Sequence, residues 1–313
     1  MDTIEKALKK HAEHEAASVK DENAKADQAL EADQTSSLNE PVSETQNPDL
    51  EIEPVQVKAE KKTVVSSSLP HEVKLQLDLD FLDSIGVIIP DERRSKTKEE
   101  YKHIKRPLLN KAAMEEVGLT NNNLIMVTSA YSGEGKTFSS LNLAMSVATE
   151  RDRRVLLVDA DVVKPGLDRL LKIDDRPGLV EYLTGDVTEF SDILLNTNVK
   201  NLSIIPAGKT HHLSHELLAS KAMADLAKEM SARYPDRIII FDSPPLLITS
   251  EAQVLSRLVG QIALVVEQDK TSQSSVLDAI ALLEKDKVAG LILNKSKSST
   301  ESYYGYYYSS ENE

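Results

Sequence analysis

Short apolar runs separated by helical stretches recur along the C-terminal part of the chain, and they constrain the fold more than any other feature. Each run has four to six residues, mostly Leu, Ile and Val, without the strict alternation of a half-exposed strand. Continuously apolar strands joined by helices are typical of a parallel sheet buried on both faces. We therefore predict an α/β domain of about 200 residues with a mostly parallel sheet flanked by helices. The predicted strands are Leu124–Val127, Val155–Val158, Leu202–Ile205, Ile238–Phe241, Ile262–Val266 and Val288–Leu293.

The residues before this domain have a different composition. The 313-residue chain carries a net charge of −14, and residues 1–70 contribute 15 acidic and 8 basic residues, a net of −7. A segment with so few large apolar residues cannot bury enough surface to offset its loss of conformational entropy. We predict that residues 1–70 form a disordered acidic segment. Within it, Ile4 and Leu8 lie one helical turn apart, which fits either a frayed helix end or a short docking peptide.

The rest of the chain divides into three predicted parts. Residues 71–110 are expected to be a helical N-terminal part of the domain. They include a charged helix over 97–106 that ends before Pro107, because a residue that precedes proline disfavours the helical conformation. Residues 111–297 hold the predicted strands. Residues 298–313 are mainly Ser, Tyr and Glu, and are predicted to be an exposed tail.

Composition excludes several classes of function. The net charge of −14 argues against a nucleic-acid partner, because phosphate neutralisation needs a basic surface. The absence of Cys excludes disulfides and thiolate metal sites. No apolar run approaches the roughly 18–20 residues that span a bilayer, and the N-terminus MDTIEKALKK lacks a signal-peptide core. We expect a cytoplasmic protein that reaches the membrane only through a partner.

A phosphate-binding loop follows the first predicted strand. The sequence from Ser129 to Thr137, SAYSGEGKT, leads into a helical stretch. Gly133 and Gly135 allow backbone N–H groups to approach phosphate oxygens, and the helix N-terminus adds its positive end. In such a loop the lysine, here Lys136, reaches the β- and γ-phosphates, and the hydroxyl of Thr137 binds Mg²⁺. The pattern departs from the usual one only at its first position, where Ala130 replaces Gly. We also predict ATP contacts from Ser132, Glu134 and Phe138.

Two further predicted strands end in aspartate. The run Val155–Val158 is followed by Asp159 and Asp161, and the run Ile238–Phe241 is followed by Asp242. Ligands of open α/β sheets bind beyond the carboxyl ends of the strands, so these carboxylates should meet the phosphate-binding loop. Mg²⁺ takes one or two carboxylates together with phosphate oxygens and waters. Asp242 fits such a ligand, and Asp159 fits either a water-mediated ligand or the acceptor of a proton from an attacking hydroxyl.

Together these motifs resemble the bacterial tyrosine autokinases, the BY-kinases of exopolysaccharide export, in which Asp159 and Asp161 would occupy the Walker A′ position. Pro206-Ala-Gly208 followed by Glu216-Leu-Leu is similar to another stretch of that family. Ile4-Glu-Lys-Ala-Leu and Lys105-Arg-Pro-Leu-Leu resemble its branch associated with exosortase-linked polysaccharide loci. The resemblance covers about residues 73–313 and the first ten residues.

Two more features of the family are matched. Glu99, Lys102 and Lys105 lie where it carries a Glu-x-x-Arg-x-x-Arg subunit-contact motif. The last eleven residues resemble its C-terminal tyrosine cluster and hold Tyr303, Tyr304, Tyr306, Tyr307 and Tyr308. The resemblance implies a P-loop NTPase that uses ATP and Mg²⁺ and phosphorylates these tyrosines between the subunits of a homo-oligomer. It also implies an activator of the membrane chain-length-determinant type and a tyrosine phosphatase as partners.

The sequence departs from the family pattern at several positions. Ser132 stands where a proline is common, and Val163 stands where an arginine follows the second aspartate. Lys102 and Lys105 replace both arginines of the contact motif, and Lys lacks the planar fork that makes Arg bidentate. These changes bear more on the subunit contact than on the ATP site.

The tail suggests a charge-based switch. Each phosphotyrosine adds about −1.5 to −2 charges, so modified tails gathered in one oligomer should repel one another. We expect the unphosphorylated protein to assemble and the phosphorylated protein to dissociate.

Two alternative classes remain open. One is a deviant-Walker partitioning ATPase, whose first loop lysine reaches across a dimer, but Tyr131 occupies that position here. The other is a nucleotide-binding scaffold with weak turnover. Among smaller features, Asn294 ends the last predicted strand; resemblance to related P-loop proteins implies a contact with adenine, and the alternative is a strand-end turn. Lys270 follows another strand edge and lies either near the site or, as we expect, in solvent as a loop charge. A metal site is not expected at His211, His212 and His215.

Overall fold

The computed structural model describes residues 74–91, 93–114, 121–173, 175–211, 214–233 and 236–297. The predicted acidic segment, the docking peptide and the tyrosine tail lie outside these ranges. The described residues confirm the predicted α/β domain.

A seven-stranded sheet forms the centre of the domain, in the order β3-β4-β2-β5-β1-β6-β7. All neighbouring strands are parallel except β3 and β4, which are antiparallel. Each of the six predicted strands is present, while the two-residue β3 was too short to leave an apolar run. The strands are β1 (Leu124–Ser129), β2 (Arg154–Asp159), β3 (Leu195–Asn196), β4 (Leu202–Ile205), β5 (Arg237–Asp242), β6 (Gln261–Glu267) and β7 (Val288–Asn294).

Helices cover both faces of the sheet. They are α1 (Leu79–Ser84), α2 (Lys96–Ala112), α3 (Lys136–Ala148), α4 (Gly166–Leu171), α5 (Leu179–Thr184), α6 (Phe190–Ile193), α7 (Ser214–Leu218), α8 (Lys221–Arg233), α9 (Ser250–Leu258) and α10 (Gln273–Ala281), with a 3₁₀ turn at Lys285–Lys287. Within the described ranges, no helix is both long enough and apolar enough to cross a membrane.

The core lies on both sides of the sheet, as the continuously apolar strands predict. All six residues of β1 are buried. Ile125 and Val127 join the cluster that packs against α2 and α3, while Leu124 and Met126 join the cluster on the opposite face. Because successive side chains of a strand point to opposite faces, a strand covered on both sides is apolar on both faces. The two polar residues at the end of β1, Thr128 and Ser129, are buried with their hydroxyls donating to the carbonyls of Pro244 and Tyr131.

The prediction that α2 ends before Pro107 is wrong. The helix continues to Ala112 and so crosses the predicted boundary at residue 110. Pro107 removes one N–H from the helix ladder, but tertiary contacts hold the turn that follows it. Leu108 is buried in the core, and the side-chain amide of Gln261 donates to its carbonyl at 3.0 Å. Packing therefore outweighs the local preference of the residue before proline.

A candidate nucleotide-binding site at the carboxyl edge of the sheet

Three adjacent strands bring the predicted motifs together. In the order β2-β5-β1, Asp159 of β2 lies directly beside Asp242 of β5, and Asp242 is in register with Val127 of β1. The phosphate-binding loop begins where β1 ends, at Ser129. The loop and both aspartates therefore lie at one edge of the sheet, as the parallel topology requires.

Glycine is needed at two positions of the loop. Gly133 and Gly135 have φ angles of 86° and 96°, which are in the left-handed region that favours glycine. Gly135 is the N-cap of α3, and a Cβ there would lie 2.0 Å from Nδ2 of Asn294. The loop can therefore reach α3 and pass Asn294 only with glycine at this position.

Lys136, the first residue of α3, is buried with only 8% of its surface exposed. Its Nζ lies 3.1 Å from Oδ2 of Asp161, while Oδ1 of Asp161 accepts from the backbone N–H of Lys164 at 3.2 Å. The ammonium group is held by an acid beside the loop, and a phosphate that enters the loop would compete for the same group.

Among the described residues, only one of the two carboxylate oxygens of Asp242 has a hydrogen-bond partner. Its Oδ1 accepts from the hydroxyl of Ser140 at 3.0 Å, whereas no described residue gives its buried Oδ2 a hydrogen bond. Burial raises the pKa of Asp242 to about 6, although the ammonium of Lys136 and the hydroxyls of Thr137 and Ser140 oppose the rise. A buried carboxylate oxygen without a partner costs free energy unless a cation or donor occupies the site.

Asp159 is fully buried, and both of its oxygens are engaged. Oδ1 accepts from the backbone N–H of Asp161 at 3.1 Å, and Oδ2 accepts from that of Leu167 at 3.0 Å. Burial, followed by repulsion from Asp242 and Asp168, raises the pKa of Asp159 well above its ordinary value. Asp159 therefore fixes the backbone around the second aspartate and at the start of α4.

These residues fit a magnesium ion bound together with a phosphate. Oδ2 of Asp242 offers one ligand and the hydroxyl of Thr137 a second, while Mg²⁺ commonly completes its shell with waters and phosphate oxygens. Gly166 keeps this region compact, because a Cβ there would lie 2.6 Å from Oγ1 of Thr137. The described part of the chain holds no cluster of three or more His, Cys, Asp or Glu side chains that could hold a metal ion.

The other residues predicted to contact ATP occupy different environments. Ser132 is exposed, whereas Phe138 is half-buried and packs against the core. The side chain of Glu134 turns into the protein, where Oε2 accepts from the backbone N–H of Tyr131 at 2.7 Å. Asn294 lies against the loop, since its Nδ2 donates to the carbonyl of Glu134 at 2.9 Å.

Two residues beside the loop were not predicted from the sequence. The hydroxyl of Thr271 donates to Oε1 of Glu134, and Nζ of Lys295 donates to the carbonyl of Gly133 at 2.6 Å. Lys295 directly follows Asn294, so its position after β7 could have predicted that it lies near the loop. Nothing in the local sequence predicts the contact of Thr271, because that contact depends on the pairing of β6 with β1.

The three residues of the predicted subunit-contact motif do not share one environment. Lys102 and Glu99 form an ion pair at 2.6 Å, with side chains 54% and 34% exposed. Lys105 is buried at 5% exposure, contrary to the expectation of a subunit contact, and donates to the carbonyl of Ser146 at 2.7 Å. The reason is spacing, because Tyr101, Lys105 and Leu108 form the buried face of α2.

The remaining predicted features lie outside the loop. Lys270 is exposed and pairs with Glu267 at 3.1 Å, as expected for a solvated loop charge. The Pro206-Ala-Gly208 stretch follows β4, which is in register with β2 at this edge of the sheet. The side chains of His212 and His215 and all five tail tyrosines lie outside the described residues, so their predicted roles are not tested.

Comparison with known proteins places this site in a family. The family described as the CobQ/CobB/MinD/ParA nucleotide binding domain matches residues 125–308. The chain is 32% identical over 229 residues to the tyrosine-protein kinase YwqD of Bacillus subtilis, covering 72% of this chain and 93% of that protein. It is 31% identical over 222 residues to the putative tyrosine-protein kinase CapB of Staphylococcus aureus, covering 70% of this chain and 93% of CapB.

Solved structures agree with the sequence relatives. The kinase domain of the Escherichia coli tyrosine kinase ETK matches with a TM-score of 0.57 and 28% identity, covering 74% of this chain and 94% of that domain. The BceF tyrosine kinase domain matches with a TM-score of 0.52 and 29% identity, covering 63% of this chain and 75% of that domain. The chain therefore belongs to the bacterial tyrosine-protein kinases, a family built on the CobQ/CobB/MinD/ParA nucleotide-binding domain.

Proposed function

We propose that this protein is an ATP-dependent tyrosine autokinase that phosphorylates its C-terminal tyrosines between subunits. One observation carries the proposal: the buried ammonium of Lys136 and the unpartnered Oδ2 of Asp242 lie together beside a phosphate-binding loop. Membership of the tyrosine-kinase family supports tyrosine as the acceptor. The proposed acceptors are Tyr303, Tyr304, Tyr306, Tyr307 and Tyr308.

Positioning and charge neutralisation would carry the reaction. The loop N–H groups and Lys136 bind the phosphates, and Thr137 and Asp242 hold Mg²⁺, which neutralises charge that develops on the phosphate oxygens. When Lys136 leaves Asp161 for the nucleotide, Oδ2 of Asp161 loses its ammonium partner.

That exchange assigns a proton acceptor. The tyrosine hydroxyl, with an ordinary pKa of about 10, must lose its proton as its oxygen bonds to the γ-phosphorus and ADP departs. Both oxygens of Asp159 are engaged by backbone N–H groups, so we assign the proton to Asp161. Asp159 then positions Asp161, a change from the role that its sequence position suggested.

The two alternative classes have less support. A partitioning ATPase needs a lysine where Tyr131 lies, and the Tyr131 hydroxyl instead contacts the Ser275 hydroxyl of its own chain at 3.3 Å. A scaffold with weak turnover would bind ATP without transferring phosphate. Neither alternative gives the tyrosine cluster a role.

The family also suggests where the protein works. We propose that a homo-oligomer acts at the cytoplasmic face of the membrane, held there by a membrane activator of the chain-length-determinant type. A tyrosine phosphatase would reset the tail, and the cycle of assembly and dissociation would regulate exopolysaccharide synthesis or export. Charge repulsion between phosphorylated tails supplies the physical basis for dissociation.

A mixing experiment tests the proposal. Purified protein with ATP and Mg²⁺ should gain phosphotyrosine, whereas Lys136→Met alone should gain none. A second variant with all five tail tyrosines changed to Phe keeps the ATP site but lacks acceptors. If the two variants are mixed, phosphotyrosine on the Lys136→Met chain, detected by mass spectrometry, shows transfer between subunits.

Other outcomes distinguish the alternatives. Hydrolysis of ATP without phosphotyrosine would favour the partitioning-type ATPase, and ATP binding without turnover would favour the scaffold. If the unmodified protein is phosphorylated but the mixture is not, transfer occurs within one chain.

A further inference from the structure

A buried acid occupies the phosphate-binding loop. Glu134 is 1% exposed, and its carboxylate lies within a loop that is built to attract anions. A carboxylate repels phosphate, so its side chain cannot serve as a phosphate ligand. The function of Glu134 must therefore come from the groups to which its oxygens are bonded.

Each oxygen of Glu134 holds a different part of the site. Oε2 accepts from the backbone N–H of Tyr131 at 2.7 Å, which ties the start of the loop to its end. Oε1 accepts from the hydroxyl of Thr271. The carboxylate thus closes the loop on itself and fastens it to the connection between β6 and α10.

Thr271 is a fixed attachment point. Its backbone N–H donates to the carbonyl of Glu267 at 3.1 Å, and its Oγ1 accepts from the backbone N–H of Glu267 at 3.3 Å. The next residue, Ser272, is the N-cap of α10, where its side chain accepts from the N–H of Ser275. A threonine held by a turn and a helix start can resist movement of the loop.

The far side of the loop is held from β7. Nδ2 of Asn294 donates to the carbonyl of Glu134 at 2.9 Å, and Nζ of Lys295 donates to the carbonyl of Gly133 at 2.6 Å. In a planar trans peptide the N–H points opposite to the carbonyl. Fixing these two carbonyls outward therefore directs the N–H groups of Glu134 and Gly135 away from β7.

We propose that Glu134 and Thr271 are positioning residues that keep the phosphate-binding loop in its binding conformation before the nucleotide arrives. Asn294 and Lys295 support the same conformation from outside. Without this pair, nucleotide binding would have to order the loop, and the cost would appear as weaker affinity. The inference rests on the nucleotide site of the proposed function but not on the tail tyrosines.

Preorganisation predicts a specific kinetic pattern. Glu134→Ala should raise the Kd for Mg-ADP and the KM for ATP by about 10-fold or more, because the nucleotide must then order the loop. The kcat at saturating ATP should stay within about 3-fold, since the bound loop is the same. Thr271→Val should raise the Kd about 3-fold, because Glu134 keeps its contact with Tyr131.

Conservative replacement supplies the decisive variant. In Glu134→Gln, the amide oxygen accepts from Tyr131 and the amide nitrogen donates to Oγ1 of Thr271, so the shape is kept while the charge is lost. Its Kd should lie within about 3-fold of the unmodified protein. Glu189→Ala and Thr188→Val, two exposed positions just before α6, provide matched controls.

The experiment measures Mg-ADP binding by calorimetry on the full chain, together with steady-state kinetics and thermal unfolding without nucleotide. An unchanged Kd in folded Glu134→Ala would overturn the proposal, as would a fall in kcat with constant KM. Glu134→Gln binding as weakly as Glu134→Ala would also overturn it. If Glu134→Ala does not fold, Thr271→Val decides. Failure of the unmodified protein to bind Mg-ADP would instead refute the proposed nucleotide site.

Discussion

Two buried lysines lie at opposite ends of α3, and their surroundings differ. One is its own first residue, Lys136, and the other is Lys105 of α2, which packs against its C-terminal end. Lys105 packs at the C-terminal end, where it donates to Ser146 and Thr149 at 2.7 and 3.2 Å and pairs with Glu150 at 2.6 Å. Lys136 is the first residue of the helix, and the one ion-pair partner that the described residues offer it is Asp161 at 3.1 Å. The two side chains are almost equally buried, at 5% and 8% exposure.

The comparison shows that burial beside an acid does not identify a functional lysine. An ammonium has three donors, and the three contacts of Lys105 use all of them. The negative end of the helix dipole also stabilises Lys105, whereas the positive end disfavours Lys136. Lys136 therefore keeps donors that an incoming anion can use, whereas the donors of Lys105 are already used within the fold.

The largest expected effect follows from replacing the lysine at the N-terminal end. Lys136→Met should lower kcat/KM by about 1,000-fold or more, equivalent to about 4 kcal/mol of lost transition-state stabilisation. The free energy of unfolding without nucleotide should fall by about 2 kcal/mol, because Asp161 is left buried without its ammonium partner and relief of the unfavourable helix position offsets only part of that loss. Phosphotyrosine assays and urea unfolding measure the two quantities. If Lys136→Met kept its activity, Lys136 would be equivalent to Lys105 and the comparison would break.

The acids beside the two lysines give the next prediction. Glu150 is 41% exposed, whereas Asp242, whose pKa Lys136 helps to lower, is fully buried. Asp242→Asn should abolish most activity yet stabilise the nucleotide-free protein by about 2 kcal/mol at neutral pH. The amide keeps the shape and removes a buried charge that lacks a full set of partners.

The stabilisation by Asp242→Asn should depend on pH. The pKa of Asp242 is about 6 in the folded state against an ordinary 3.8, so the folded state binds the proton more tightly. The unmodified protein therefore loses stability as the pH rises from about 4 to about 6, and the advantage of Asp242→Asn grows over the same range. Urea unfolding at about pH 4 and pH 8 tests this sign. An advantage that is larger in acid would contradict it.

A smaller effect is expected at the C-terminal lysine. Lys105→Met should lower the free energy of unfolding by about 2 kcal/mol, because the buried site loses three polar contacts. The carbonyl of Ser146 keeps the hydroxyl of Thr149 as a side-chain donor, while that hydroxyl and the carboxylate of Glu150 lose the ammonium. Glu150 is exposed enough to regain water, which limits the loss. The Kd for Mg-ADP should stay within about 2-fold, as measured by calorimetry. A fall in nucleotide affinity equal to that of Lys136→Met would show that the two ends of α3 are coupled.

Sequence reasoning succeeded where local patterns carry the information. The apolar runs predicted six strands, and parallel pairing placed Asp159 and Asp242 together at one edge. Prediction from the sequence failed for features that depend on contacts between distant parts of the chain. The end of α2 depends on Gln261 and Leu108, and the partner of Glu134 is Thr271, which lies 137 positions away. For Lys105, the motif spacing showed which residues share its side of the helix, but not that this side packs on α3.

The matched substitution one turn away on α2 should have the smallest effect on stability. Lys102→Met removes an ion pair with Glu99, which holds the pKa of that carboxyl below its ordinary value. Lys102 is exposed and Glu99 partly exposed, so the cost should be under about 0.5 kcal/mol, against about 2 kcal/mol for Lys105→Met. If Lys102 and Glu99 form the proposed subunit contact, Lys102→Met should lower the mass of the unphosphorylated assembly while the Mg-ADP affinity stays constant. Light scattering and urea unfolding separate these effects, and an unchanged mass for both Lys102→Met and Glu99→Ala would remove the pair from the interface.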